Sequence, residues 1–88
     1  MEGKKLEAKY KALANRRRLA ILKYLLKVDK ATVGQIAGEI KLLFKATSKH
    51  LQRLRQVNFI SYEQIGLEFN YFITEKKDLF IKQLQTLL

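Results

Sequence analysis

The sequence has 88 residues, with 18 Lys and Arg against 8 Asp and Glu, one His, no Cys and no Pro, giving a formal net charge of +10. That length holds one hydrophobic core rather than two, and the missing cysteines exclude a disulfide framework, a thiolate metal site and a thiol nucleophile. The charge excess points to an anionic partner, but lysine also serves solubility, so the placement of the charges along the chain has to decide.

From Glu2 to about Ala14, Leu6, Tyr10 and Leu13 recur at helical spacing among Lys4, Lys5, Lys9 and Lys11, which predicts an amphipathic first helix. Asn15 can cap a second helix in which Leu19, Leu22, Leu25 and Leu26 form an apolar stripe, ending near Val28-Asp29-Lys30. Thr32 and Gln35 have capping-box spacing ahead of a short third helix carrying Val33, Ile36, Ala37 and Ile40, which stops near Lys41. After a turn at about Lys41 to Leu43, Phe44, Thr47, Leu51 and Leu54 mark the inner side of a fourth helix running to Val57. Two short helices across a tight turn suggest a helix-turn-helix.

Phe59 to Gln64 and Phe69 to Ile73 are aromatic and β-branched, with Gly66 between them, and read as a β-hairpin. A last amphipathic helix is expected over residues 75–88, with Thr74 as its cap and Phe80, Ile81, Leu84, Leu87 and Leu88 on one broad face. No linker, repeat or low-complexity tract interrupts this order, so a single domain over residues 1–88 is expected, α+β but mainly α: four helices, a hairpin and a fifth helix. MEGKKLEAKYKAL has no apolar stretch of signal-peptide length and nowhere do about 18 apolar residues run together, so a soluble cytoplasmic protein with no membrane partner is expected.

On the fourth helix, Lys45, Lys49, Gln52, Arg53 and Gln56 lie opposite the apolar arc, and no acidic residue occurs between Phe44 and Asn58. Such a face suits a DNA major groove: Lys and Arg donate to guanine O6 and N7, Gln pairs with adenine, and both kinds meet phosphates. An ordinary solvated helix surface has a similar composition, but a tight helix-helix turn before this helix and a glycine-turned hairpin after it make the arrangement of a winged helix.

KALANRRRLAILKYLL (11–26) resembles the second-helix signature of the arsenic-repressor (ArsR/SmtB) family, with Asn15, Arg16 and Arg18 on its Asp, Pro and Arg positions. TVGQIAGEI (32–40) is similar to the family's third helix and ATSKHLQRLRQVNFI (46–60) to its Ser-x-His-Leu recognition helix and the strand entry after it, so the resemblance covers about residues 11–74. It implies that Lys45, Ala46, Ser48 and Lys49 take base- and phosphate-contacting positions, and the helical wheel adds Gln52 and Arg53. It also implies a homodimer through the terminal helices, 1–14 and 75–88, using Leu6, Tyr10, Leu13, Phe80, Leu84, Leu87 and Leu88; closure of the monomer's own core is the other reading of those residues.

The departures matter as well. The metal-sensing cysteines and paired Asp and His of many relatives are missing, the third helix reading Gln35-Ile36-Ala37-Gly38-Glu39 instead, so no metal and no cofactor are expected and His50 reads as a packing or DNA-proximal residue. At the hairpin tip, Gln64-Ile65-Gly66-Leu67-Glu68 stands where winged proteins usually carry Arg or Lys; Ile65 and Leu67 either pack on a neighbour or meet a protein partner. In Arg16-Arg17-Arg18, Arg16 can approach a phosphate while Arg18 can pair with Glu39 or Glu7 inside the fold. No phosphate loop, second His or supported acid-base pair exists, so no catalytic residue is expected. Together these readings describe a double-stranded-DNA-binding transcriptional regulator acting at the nucleoid, expected to repress from a pseudo-palindromic operator; a non-specific architectural protein and a protein-interaction module are the competing functions.

Overall fold

Local sequence signals start and stop most of the helices in the computed structural model, which describes residues 2–88; Met1, part of the expected 1–14 helix, lies outside the described residues. Helix α1 spans Glu2–Leu13 and α2 Arg16–Val28, the second opened by Asn15, whose Oδ1 accepts from the Arg18 N–H at 3.0 Å. Helix α3, Val33–Ile40, starts with the full capping box: the Gln35 N–H donates to Thr32 Oγ1 at 3.2 Å and the Thr32 N–H to Gln35 Oε1 at 2.9 Å. Each such cap satisfies orphan donors and is worth about 1 kcal/mol. At its other end Lys41 turns left-handed (φ 55°) and the Leu42 N–H donates to Ala37 O at 3.1 Å, which closes α3 and aims the chain into α4, Phe44–Gln56.

The strands β2 (Ile60–Ile65) and β3 (Glu68–Ile73) pair antiparallel, Ile65 opposite Glu68, leaving a two-residue loop of Gly66 and Leu67. Gly66 has φ 64° and Leu67 a negative φ, the signs of a type II′ turn, where only the first loop residue has to be left-handed. A third strand escapes the sequence reading: β1, Ala31–Thr32, joins the free edge of β3 to give the order β1-β3-β2. Two residues carry no alternation to detect, and the strand exists because Ala31 and Thr32 find Tyr71 and Asn70 opposite them.

The last helix, α5, is shorter than expected, Leu79–Leu87. Thr74 is not its cap: the Thr74 N–H is taken by Phe59 O at 3.0 Å, extending the hairpin's bonding, and residues 75–78 form a turn before Asp78 Oδ1 accepts from Phe80 and Ile81 N–H at 2.8 and 3.3 Å. Phe80 locks α5 down, meeting Tyr10 of α1 edge-on at 5.1 Å between ring centroids and Phe59 at 5.7 Å.

One core joins all five helices to the sheet, with Ile21, Leu22 and Leu25 of α2 at its centre, Ile36 of α3, Leu51 and Leu54 of α4, and Ile81 and Leu84 of α5 around them. Thr47 is equally buried, and its Oγ1 has no hydrogen-bond partner. A buried hydroxyl left unpaired costs more than an apolar group of the same shape. The expected result is that Thr47→Val stabilises the fold by about 1 kcal/mol, read as a higher urea midpoint at unchanged slope.

Candidate nucleic-acid interface

With Thr47, Leu51 and Leu54 held in the core, α4 must turn its opposite side outward, and Lys45, Lys49, Gln52, Arg53 and Gln56 are all exposed there. Ala46 and Ser48 are half-buried at the edges of the same face. The first bond of the helix comes from Thr47 to Leu43 O at 2.9 Å, and Leu43 provides no side-chain cap. The N–H groups of the opening turn therefore add the positive end of the helix dipole to a lysine-bearing surface. Phe44 corrects the expected inner arc: it is 61% exposed. Helical side chains tilt toward the N-terminus, so a residue at the first position of α4 projects past the packed turns and finds no core to enter.

The arginine run divides its work. Arg17 Nη1 donates to Ile40 O at 2.6 Å, filling a carbonyl at the end of α3. Arg18 donates through Nε to Ala12 O at 2.6 Å and through Nη2 to Lys11 O at 3.1 Å, and its Nη1 lies 3.3 Å from His50 Nδ1. Its expected pairing with Glu39 or Glu7 is thus replaced by the carbonyls at the end of α1, which come nearer than any carboxylate once α1 and α2 fold back at Asn15. Arg16, the exposed member of the run, borders a groove of about 470 Å³ with Leu13, Leu19 and Leu88, whereas the half-buried Arg17 and Arg18 meet helix-turn-helix residues.

Arg18 and His50 tie the back of α4 to α2 inside a cationic cluster. Burial, then the charges of Arg18 and Arg17, hold the His50 imidazole below its ordinary range, so its neutral form accepts the Arg18 hydrogen bond. Burial and Arg53 lower the Arg18 guanidinium, which stays charged. As pH falls below about 6.5, the unfolded chain takes up a proton at His50 that the folded chain resists, so stability falls with pH and levels off below the folded-state value. A His50→Gln chain is therefore expected to lose less stability than the wild type between about pH 7.5 and 5; parallel urea-midpoint profiles would contradict the coupling.

On the wing, Arg55 lies over Tyr62 with its guanidinium carbon 4.3 Å from the ring centroid, and Tyr62 meets Phe69 edge-on at 4.8 Å. Lys30 bridges Glu63, so one of the two wing carboxylates is neutralised within the fold. Leu67 at the tip is 97% exposed and Ile65 57% exposed, so the core covers neither of them. Sequence reasoning missed both the Arg55–Tyr62 contact and the outward Leu43 and Phe44. The first joins a helix to a strand through a turn and leaves no periodicity, while the second was signalled only by Phe44 being the first residue after the turn.

On the terminal helices Leu6, Tyr10, Leu87 and Leu88 are exposed, and Leu13 and Phe80 are half-buried against the core. Leu84 is a correction: it is buried within its own chain, since α5 needs Ile81 and Leu84 to close the core.

A family model described as bacterial regulatory protein, arsR family, matches residues 15–62, more than half of the chain and the whole helix-turn-helix from the Asn15 cap into β2. The chain belongs to the ArsR family. It is a winged helix-turn-helix DNA-binding transcriptional regulator and not an enzyme. NolR from Sinorhizobium fredii is 31% identical, with a TM-score of 0.85 over 98% of this chain and 83% of that one. HlyU from Vibrio cholerae is 27% identical, with a TM-score of 0.84 over 98% and 90%. The homodimeric winged helix-turn-helix DNA-binding domain of Mb0332 from Mycobacterium bovis is 27% identical, with a TM-score of 0.82 over 96% of this chain and 74% of that one. No curated protein gives a significant sequence match. Among the described residues no helix is long and apolar enough to cross a membrane.

Proposed function

We propose that this ArsR-family regulator is a homodimeric repressor of a pseudo-palindromic operator, with one α4 helix entering the major groove of each half-site. The observation that carries this reading is the outward face of α4, on which Lys45, Lys49 and Arg53 stand with Gln52 and no carboxylate intervenes. Lys45 and Ala46 in the first turn and Ser48 and Lys49 in the next approach base edges and flanking phosphates; Gln52 adds an amide suited to adenine, and Arg53 a guanidinium suited to guanine or phosphate. Arg16 lies on the α2 surface beside Leu88, so a phosphate contact by it requires the duplex to extend past α4.

Dimerisation through α1 and α5 is supported by the exposed Leu6, Tyr10, Leu87 and Leu88 and by the homodimeric state of the Mycobacterium bovis domain. A two-fold axis between these helices sets the two α4 helices one DNA turn apart, about 34–36 Å, and protein on such a site at the nucleoid excludes other proteins from it. The test is a competition measurement on a duplex carrying its operator. Two protomers per duplex, displaced by unlabelled operator and not by equal unrelated duplex, is the expected result. Equal displacement by both would replace this reading with non-specific architectural binding, which the net charge of +10 also favours.

A further inference from the structure

The start of α4 departs from the chemistry of the rest of its outward face. Leu43 is 79% exposed and Phe44 61% exposed, in line with the exposed cations of Lys41 and Lys45. Neither side chain closes the core, and each leaves apolar surface in water at the end of the helix whose opening residues face base edges in helix-turn-helix complexes. Phe44 also borders a groove of about 260 Å³ between α3, α4 and the wing, shared with Val33, Leu67 and Phe69 and edged by Thr32 and the Glu68 carboxylate, so apolar side chains reach from the helix toward the hairpin up to that acidic edge.

The major groove offers one apolar feature for such a surface to meet, the 5-methyl group of thymine. The lysines on either side fit the phosphates that border that groove and do nothing for an apolar protein partner. We propose that Leu43 and Phe44 form a contact site for thymine methyl groups, so that the chain selects thymine at the base step facing the start of α4. The proposal rests on the reading of α4 as the DNA-contacting helix. It makes Phe44 a specificity residue that acts by burying a methyl group, beside the hydrogen-bonding readers Lys45, Lys49, Gln52 and Arg53.

The test uses the full chain and a half-site defined by selection from randomised duplexes, with each thymine replaced in turn by deoxyuridine, which removes the methyl and leaves every hydrogen-bonding group in place. Burial of one methyl corresponds to about fourfold in affinity. One or two thymine positions per half-site are expected to lose about that much on replacement, and a chain carrying both Leu43→Ala and Phe44→Ala, which stays folded because neither residue belongs to the core, is expected to bind both duplexes equally. A half-site without a thymine requirement, or unchanged wild-type affinity for every deoxyuridine duplex, overturns the methyl contact while specific binding leaves the α4 reading intact. Absence of any selected sequence overturns both. Retention of the thymine effect by the Leu43→Ala, Phe44→Ala double variant shows that other residues read the methyl and also overturns the assignment.

Discussion

A chain carrying both Lys49→Ala and Arg53→Ala is expected to bind its duplex about 30-fold more weakly per protomer near 0.15 M salt, and to flatten the slope of log affinity against log salt by about 1.8 per protomer, or about 3.6 for two protomers on one operator. Both side chains leave α4 on the solvent side, away from Thr47, Leu51 and Leu54, so their truncation removes charge without opening a cavity. Each phosphate they neutralise releases counterions, and two such contacts at about 0.9 in slope apiece give the two per-protomer figures together. The slope separates this account from a folding defect, which would lower the active fraction and leave the slope unchanged. Unaltered affinity and slope would mean that the duplex lies on another face. If Arg53 instead pairs with guanine, its single replacement also relaxes base preference at one position by about 1–3 kcal/mol.

If the chain pairs through α1 and α5 as proposed, replacing Leu6 and Leu87 together by glutamine is expected to leave it a monomer. Leu6 is 49% exposed and Leu87 71% exposed in the single chain and neither belongs to its core, and glutamine keeps both helix propensity and charge unchanged. A dimer buries four such side chains at up to about 1.5–3 kcal/mol each; a loss of about 4 kcal/mol, well below that bound, already raises the dimer dissociation constant about a thousandfold. A monomer engages one half-site and loses the effective concentration that links the second, about 10²- to 10⁴-fold in operator affinity. Sedimentation at micromolar protein reads the first effect and operator titration the second. A double variant that still sediments as a dimer would place the subunit contact elsewhere.

The helix-turn-helix was legible in the sequence because its signals are local. Asn15, the Thr32–Gln35 box and the spacing of Thr47, Leu51 and Leu54 act within one or two helical turns, and the structure uses each of them. What the sequence did not yield depends on distant partners. The strand at Ala31–Thr32 exists through residues 70 and 71, the carbonyls that hold Arg18 become available only when α1 folds against α2, and Asp78 takes the cap of α5 because Thr74 is committed to Phe59. The terminal helices show the same limit. Their apolar stripes serve both the chain's own core, through Leu84, and the open surface, through Leu6, Tyr10, Leu87 and Leu88, and spacing alone does not divide the two. For the site, the cationic side of α4 followed directly from helical periodicity, whereas the exposure of Phe44 depended on where α3 ends and leaves the first residue of α4 uncovered.

Selection of the purified chain against randomised duplexes of about 30 base pairs at near-physiological salt, a length that spans two half-sites, decides whether it reads DNA sequence as a dimer. The expected result is enrichment of an inverted repeat whose half-site centres are one helical turn apart, about 34–36 Å, with a thymine in each half-site. Retention of DNA without an enriched sequence, or enrichment of a single unrepeated site, would contradict a dimeric, sequence-reading repressor.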